Sequence, residues 1–159
     1  IDVDSREGRG TTFSIYLPAS DKEIEEPVRR IDRFTMGSEK VLLVDDEADI
    51  RQVGKELLEA MGYEVMLAKD GEEAIEVYKQ NRDEIDVVLL DMVMPNIGGG
   101  EAYDRMKEIN PNIKVLLSSG YSIDGEATEI LERGCDGFIQ KPFDLKQLSG
   151  RMREILEKR

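Results

Sequence analysis

Four apolar stretches each run into residues that could handle a charged, oxygen-rich reactant. Val41-Leu42-Leu43-Val44 leads into Asp45-Asp46, and Val87–Leu90 into Asp91. Val115-Leu116-Leu117 leads into Ser118-Ser119-Gly120, and Phe138-Ile139-Gln140 into Lys141-Pro142. Carboxylates gathered in one place repel, since two like charges ~4 Å apart cost ~4 kcal/mol at an effective dielectric of ~20. Lys141 supplies one compensating charge, which leaves Asp45, Asp46 and Asp91 short of neutrality. A hard divalent cation with oxygen ligands completes the set, and Mg2+ suits a small site that keeps several waters. With that charge offset, a carboxylate oxygen can attack a phosphoryl group while the Ser119 hydroxyl bonds a phosphoryl oxygen. Each residue alone has a plainer explanation: the acidic pair as a helix cap, Asp91 as the start of a turn, Lys141 as a solvated lysine, Ser119 as a structural hydroxyl. Their joint position at the ends of apolar stretches is what favours chemistry.

Convergence of these residues depends on the elements that carry them. The pattern predicts strands over Lys40–Asp45, Tyr63–Ala68, Asp86–Asp91, Ile113–Ser119 and Gly137–Gln140. Between them lie helical spacings: Ile50, Val53, Leu57 and Leu58; Ala74, Ile75 and Tyr78; Ala102, Met106 and Ile109; Ala127, Ile130 and Leu131; Leu148, Met152, Ile155 and Leu156. Asp70 and Asp144 stand where N-caps are expected. Strands alternating with helices predict an α/β fold with an open parallel sheet and right-handed crossovers. In such a sheet, sites form outside the carboxyl ends of the strands, which is where the acids, the serine and the lysine fall.

Residues 1–18 follow a different pattern. Two short strands, Ile1–Ser5 and Thr11–Leu17, are expected around a turn holding Gly8 and Gly10, with Phe13, Ile15 and Leu17 on one face. Pro18 ends the pattern, and the charge-dense residues 19–37 read as a linker before a domain at 38–159. A chain that opens on Ile1 without Met reads as a piece of a longer polypeptide.

Composition excludes several function classes. The formal charge is −13, from 35 acidic and 22 basic residues. Such a surface repels nucleic acid backbones, so no direct nucleic acid binding is expected. No apolar run approaches the ~18 residues of a membrane span, so no membrane contact is expected. There is no histidine, which removes His metal ligands and His general bases, and the lone Cys135 suits a reducing cytoplasm.

Val41–Glu47, Leu89–Pro95, Leu117–Gly120 and Phe138–Phe143 together resemble the signature segments of two-component receiver domains, in order and over residues 39–159. The resemblance implies a flavodoxin-like, doubly wound five-stranded parallel sheet in the order 2-1-3-4-5, here with an N-terminal β-hairpin remnant. It implies Asp91 as phosphoacceptor, Asp45 and Asp46 as acidic Mg2+ residues, and the Val93 carbonyl as a further metal ligand. It also implies Ser119 as switch hydroxyl, Lys141 as phosphate-binding cation and Phe138 as switch aromatic. Gly8-Arg9-Gly10-Thr11-Thr12-Phe13 with Ile15-Tyr16-Leu17-Pro18 resembles the last two strands of a histidine-kinase ATP-binding domain. That family's Asn-bearing helix and Asp-x-Gly segment have no counterpart. The order of the two resemblances implies a hybrid sensor histidine kinase.

The expected role is therefore a phosphoacceptor switch. Its donor is a phosphohistidine, on its own kinase or on a histidine phosphotransfer protein. The fragment is not expected to be an enzyme beyond its own phosphorylation and dephosphorylation. A phosphatase with an Asp nucleophile is the competing enzyme class, but it usually places a second Asp two residues after the first, where Glu47 stands. An unphosphorylated interaction module is the remaining class. Residues 1–18 could also pair edge-to-edge to form a dimer. Gly98-Gly99-Gly100 is expected as a flexible turn, with movement on phosphorylation as the alternative. Val93 and Tyr121 stand where they could crowd a water approaching Asp91, which predicts slow phosphate loss.

Overall fold

The computed structural model describes residues 1–18, 36–120 and 125–158. The expected linker therefore lies outside the described residues except for Met36 and Gly37, and so does Tyr121. The chain divides into two units, Ile1–Ile31 and Asp32–Arg159.

In the first unit, β1 (Asp2–Arg6) pairs antiparallel with β2 (Gly10–Ser14), with Val3 opposite Phe13 and Arg6 opposite Gly10. The turn closes through Arg9 N–H to the Arg6 carbonyl at 2.9 Å, with Gly8 and Gly10 at φ 75° and 89°. Positive φ there is what glycine tolerates and other residues resist. The second strand was expected through Leu17, but its ladder stops at Ser14, opposite Asp2. Val3, Phe13, Ile15 and Leu17 are exposed.

The second unit alternates strand and helix: β3 (Lys40–Val44), α1 (Ala48–Ala60), β4 (Glu64–Ala68), α2 (Gly71–Asn81), β5 (Val87–Asp91), α3 (Gly99–Ile109), β6 (Val115–Ser119), α4 (Gly125–Glu132), β7 (Gly137–Gln140) and α5 (Leu145–Glu157). Its five strands form one parallel sheet in the order β4-β3-β5-β6-β7, the expected 2-1-3-4-5 arrangement. Strand side chains alternate between faces. Leu42, Val44, Val88, Leu90 and Leu117 pack toward Tyr78, Ala102, Met106 and Ile130 of α2, α3 and α4. Val41, Leu43, Val87, Leu89 and Leu116 pack toward Leu58, Leu148, Met152 and Ile155 of α1 and α5.

Two helix starts follow the sequence closely. Asp70 accepts from Glu73 N–H at 2.8 Å, and Asp144 and Gln147 form a reciprocal capping box. The apolar stripe of α1 divides, however. Leu58 is buried, whereas Ile50 and Val53 are exposed.

At the base of the sheet, the segment leading into β3 is tied to the end of α1 and to α5. Gly37 N–H donates to the Met61 carbonyl at 2.8 Å. Arg153 donates to Glu39 at 2.6 Å and to the Tyr63 hydroxyl at 3.1 and 2.9 Å, with its guanidinium over the Tyr63 ring. The bond from Arg153 pulls the Glu39 carboxyl from its ordinary 4.5 down to about 2. Cys135, between α4 and β7, is buried with its thiol 3.3 Å from the Val115 carbonyl, and burial pushes the thiol up to about 11.

Candidate phosphoacceptor and metal site

The site lies where the strands end. Asp45 follows the last residue of β3, Asp91 is the last residue of β5, Ser119 ends β6 and Lys141 follows β7. Parallel neighbours in register bring these ends level: Val44 sits beside Leu90, Asp91 beside Ser118, and Ser119 beside Gln140. Main-chain bonds extend the alignment past the ladder, from Met92 N–H to the Ser118 carbonyl at 2.9 Å and from Lys141 N–H to the Ser119 carbonyl at 2.7 Å. The Lys141–Pro142 peptide bond is cis.

The Lys141 ammonium bridges two acids, at 2.7 Å from Asp45 Oδ2 and 2.8 Å from Asp91 Oδ1. Both carboxylates are buried, with side-chain exposures of 3% and 9%. The second oxygen of Asp45 accepts the Glu47 N–H at 3.0 Å. Asp45 thus closes the turn before α1 without capping the helix, whose N-cap Glu47 makes no side-chain cap bond, and its other oxygen faces Lys141. Asp46 is exposed, and ligand atoms of Asp45, Asp46 and Asp91 all lie within 4.8 Å of one another. Burial is the main influence on Asp91: it lifts the carboxyl above its ordinary value of 3.8, Lys141 offsets only part of this, and Asp45 and Asp46 add to it. Burial alone would depress Lys141, but its bonds to Asp45 and Asp91 prevail and hold its pKa above the ordinary 10.5. The lysine is therefore a cation between the acids.

Donor chemistry and geometry fit a hard divalent ion. Three carboxylates converge with one ammonium, and a carboxylate oxygen that accepts one bond keeps a further lone pair, so Asp45, Asp46 and Asp91 each offer an oxygen to an ion. Val93, which is exposed, lines the same cleft as Asp46, Asp91 and Lys141. Ser119 is buried at the end of β6, and Phe138 lies in the core on the face covered by α2, α3 and α4.

Two features of the site escaped the sequence reading. The cleft, about 930 Å³, continues from the acids along Ile50, Val53, Gly54 and Leu57 of α1 to Phe143. The two exposed α1 residues belong to it rather than to the core, and spacing alone does not separate those roles. The glycine run is not a loose turn either: Gly99 and Gly100 are buried in the first turn of α3, and Gly98 is its N-cap. A Cβ on Gly99 would stand 2.4 Å from the Asp91 carbonyl oxygen and 2.8 Å from Met92 Cα. Glycine is required there for close approach to the backbone of the site.

The profile of the response regulator receiver domain matches residues 41–153. The chain belongs to that family. Sensor kinase CckA of Brucella abortus (strain 2308) is 37% identical over 167 residues, covering 99% of this chain and 18% of that protein. Other curated relatives are spanned over about half their length, as with the 50% covered in the ycf27 regulator of Porphyridium aerugineum. Among solved structures, the receiver domain of hybrid histidine kinase CckA is 34% identical with TM-score 0.63, covering 74% of this chain and 99% of that one. The CheY of Borrelia burgdorferi, in complex with CheX, BeF3 and Mg2+, is 29% identical with TM-score 0.72, covering 76% of this chain and 90% of that one. This receiver thus shares its sheet order and helical layers with both signalling regulators and a kinase-borne domain.

Proposed function

We propose that this receiver takes a phosphoryl group from a phosphohistidine onto Asp91 with Mg2+. The observation that carries this reading is the Lys141 ammonium bonded to both Asp45 and Asp91 beside the exposed Asp46. An Asp91 carboxylate oxygen attacks phosphorus, the P–N bond to the donor imidazole breaks, and the imidazole leaves with its electron pair. Lys141 offsets charge on the transferred group, and the Ser119 hydroxyl bonds one of its oxygens. Asp45, Asp46 and Asp91, together with the Val93 carbonyl, would hold the ion. When bound, Mg2+ supplies further neutralisation of phosphoryl oxygens. Mg2+ is present in the related Borrelia burgdorferi CheY complex, which supports the assignment.

Ser119 and Phe138 then form the switch: the hydroxyl moves toward phosphate and the aromatic fills the vacated space. This needs two packings that differ in their contacts with phosphate. Exposed Ile50 and Val53, in the same cleft as Asp91, give a donor's helix an apolar landing. Residues 1–18 are read as the end of a kinase ATP-binding domain and residues 19–37 as the linker to the receiver, in a cytoplasmic hybrid histidine kinase. The relation to Sensor kinase CckA over 99% of this chain supports that order. Either that kinase or a histidine phosphotransfer protein is the donor. Apolar Val93 gives water no orienting group, so the acyl phosphate is held rather than quickly lost.

The test is labelling by acetyl phosphate or a phosphohistidine donor. Wild type is expected to label only with Mg2+, and Asp91→Asn to remain folded and unlabelled. Equal labelling of the two proteins rules out Asp91 as the acceptor.

A further inference from the structure

The acidic turn Asp45-Asp46-Glu47 is held from more than one side. Asp45 N–H donates to the Ala68 carbonyl at 3.2 Å, and Glu47 N–H donates back to Asp45 Oδ1 at 3.0 Å. A further bond comes from α1. Arg51, half-buried one turn into that helix, donates from its guanidinium to the main-chain carbonyl of Asp45 at 2.5 Å. Local helix physics does not explain this arginine. A cation near a helix N-terminus opposes the positive end of the macrodipole, and the Glu47 N-cap makes no side-chain cap bond that Arg51 could support. Its guanidinium forms no ion pair with a carboxylate among the described residues, and its side-chain bond goes instead to a backbone oxygen of the acidic turn, the main-chain carbonyl of Asp45.

We infer that Arg51 is a positioning residue for the metal site: it pins the Asp45 carbonyl to α1 and so sets the direction in which Asp46 presents its carboxylate. Planar guanidinium donors on a helix are preorganised for this, and a metal site depends on such outer partners to orient its ligands. Arg51 acts through the turn and touches neither the ion nor the phosphoryl group. The inference rests on reading Asp45, Asp46 and Asp91 as a Mg2+ site.

The experiment compares wild type, Arg51→Met, which keeps the stem and loses the donor, and Arg51→Lys, which keeps a donor at shorter reach. Two quantities are read: amide hydrogen exchange at Glu47 in metal-free protein, and the Mg2+ dissociation constant by calorimetry. Arg51→Met is expected to exchange Glu47 at least about fivefold faster and to bind Mg2+ about tenfold more weakly, with Arg51→Lys recovering more than half of each change. Unchanged Glu47 exchange and unchanged Mg2+ affinity in Arg51→Met overturn the inference. Tighter Mg2+ binding in Arg51→Met also overturns it, because that result assigns Arg51 a purely electrostatic role. Should Arg51→Met fail to fold, Arg51→Ala takes its place: faster Glu47 exchange with weaker Mg2+ binding supports positioning, and wild-type values for both overturn it. Absence of Mg2+ binding in wild type overturns the metal reading itself, and this inference with it.

Discussion

Lys141 has a structural duty that experiment can separate from the phosphoryl role proposed for it. In the metal-free protein it is the cation that makes two buried carboxylates tolerable, at 2.7 and 2.8 Å from them. Removing one member of a buried charge cluster costs about 3 kcal/mol or more. Lys141→Met is therefore expected to lower stability in urea by about that amount without metal, and Mg2+ is expected to restore part of it. A variant equally destabilised with and without Mg2+ would show that the loss is one of packing. Glu39 provides a pH-dependent counterpart at the other end of the sheet. Its carboxyl falls from 4.5 to about 2 on folding, so its contribution is complete above about 4.5 and is lost as pH drops toward 2. Glu39→Gln is expected to flatten the stability profile within that window, measured by thermal melts, and to change nothing in its slope above it. At this scale the sequence was legible wherever chemistry ends an apolar run, as at Asp91 and Lys141. Arg51 was not legible, because its contact is with a backbone oxygen that no residue pattern encodes.

Helices and strands bring in a different constraint, the closeness with which they meet. The first turn of α3 lies against the backbone of Asp91, and Gly99 makes that possible. Gly99→Ala drives a methyl into main-chain atoms that cannot swing aside, so it is expected to cost about 1–3 kcal/mol and to slow labelling of Asp91. Gly98→Ala, whose Cβ would meet only the Met92 carbonyl at 3.5 Å, is expected to stay within about 1 kcal/mol of wild type and to label normally. Equal effects from the two substitutions would dispose of close approach as the explanation. The parallel sheet and the Asp70 and Asp144 caps could be read from the chain because they depend on local periodicity and local bonds. The division of the α1 stripe could not. Leu58 and Val53 are both apolar at helical spacing, and only the three-dimensional path of α5 and the β7–α5 connection decides which is covered. Glycine composition likewise signals freedom of the backbone, whereas at Gly99 the missing side chain matters for the space it leaves.

For the molecule as a whole, the hairpin and the sheet domain each complete their own strand pairing. Deleting residues 1–35 is expected to move the melting temperature of the receiver by no more than about 2 °C. Deleting through Glu39 removes the Gly37 bond to Met61 and the Glu39 partner of Arg153, and is expected to lower it by about 5 °C or more. Similar losses from both deletions would mean that the hairpin takes part in the fold of the receiver. The solitary thiol described above gives the domain an internal stopwatch. Cys135 is the one sulfhydryl in the chain, and with its pKa pushed up to about 11 only about one part in a thousand is thiolate at pH 8. A disulfide reagent is therefore expected to consume it slowly, and faster whenever the junction of α4 and β7 opens. The rate of colour change in a cuvette then tracks how readily that junction opens, needing no engineered label. If phosphate at Asp91 repacks Phe138, three residues along from Cys135, that rate will change when acetyl phosphate and Mg2+ are added to wild type and stay constant in Asp91→Asn.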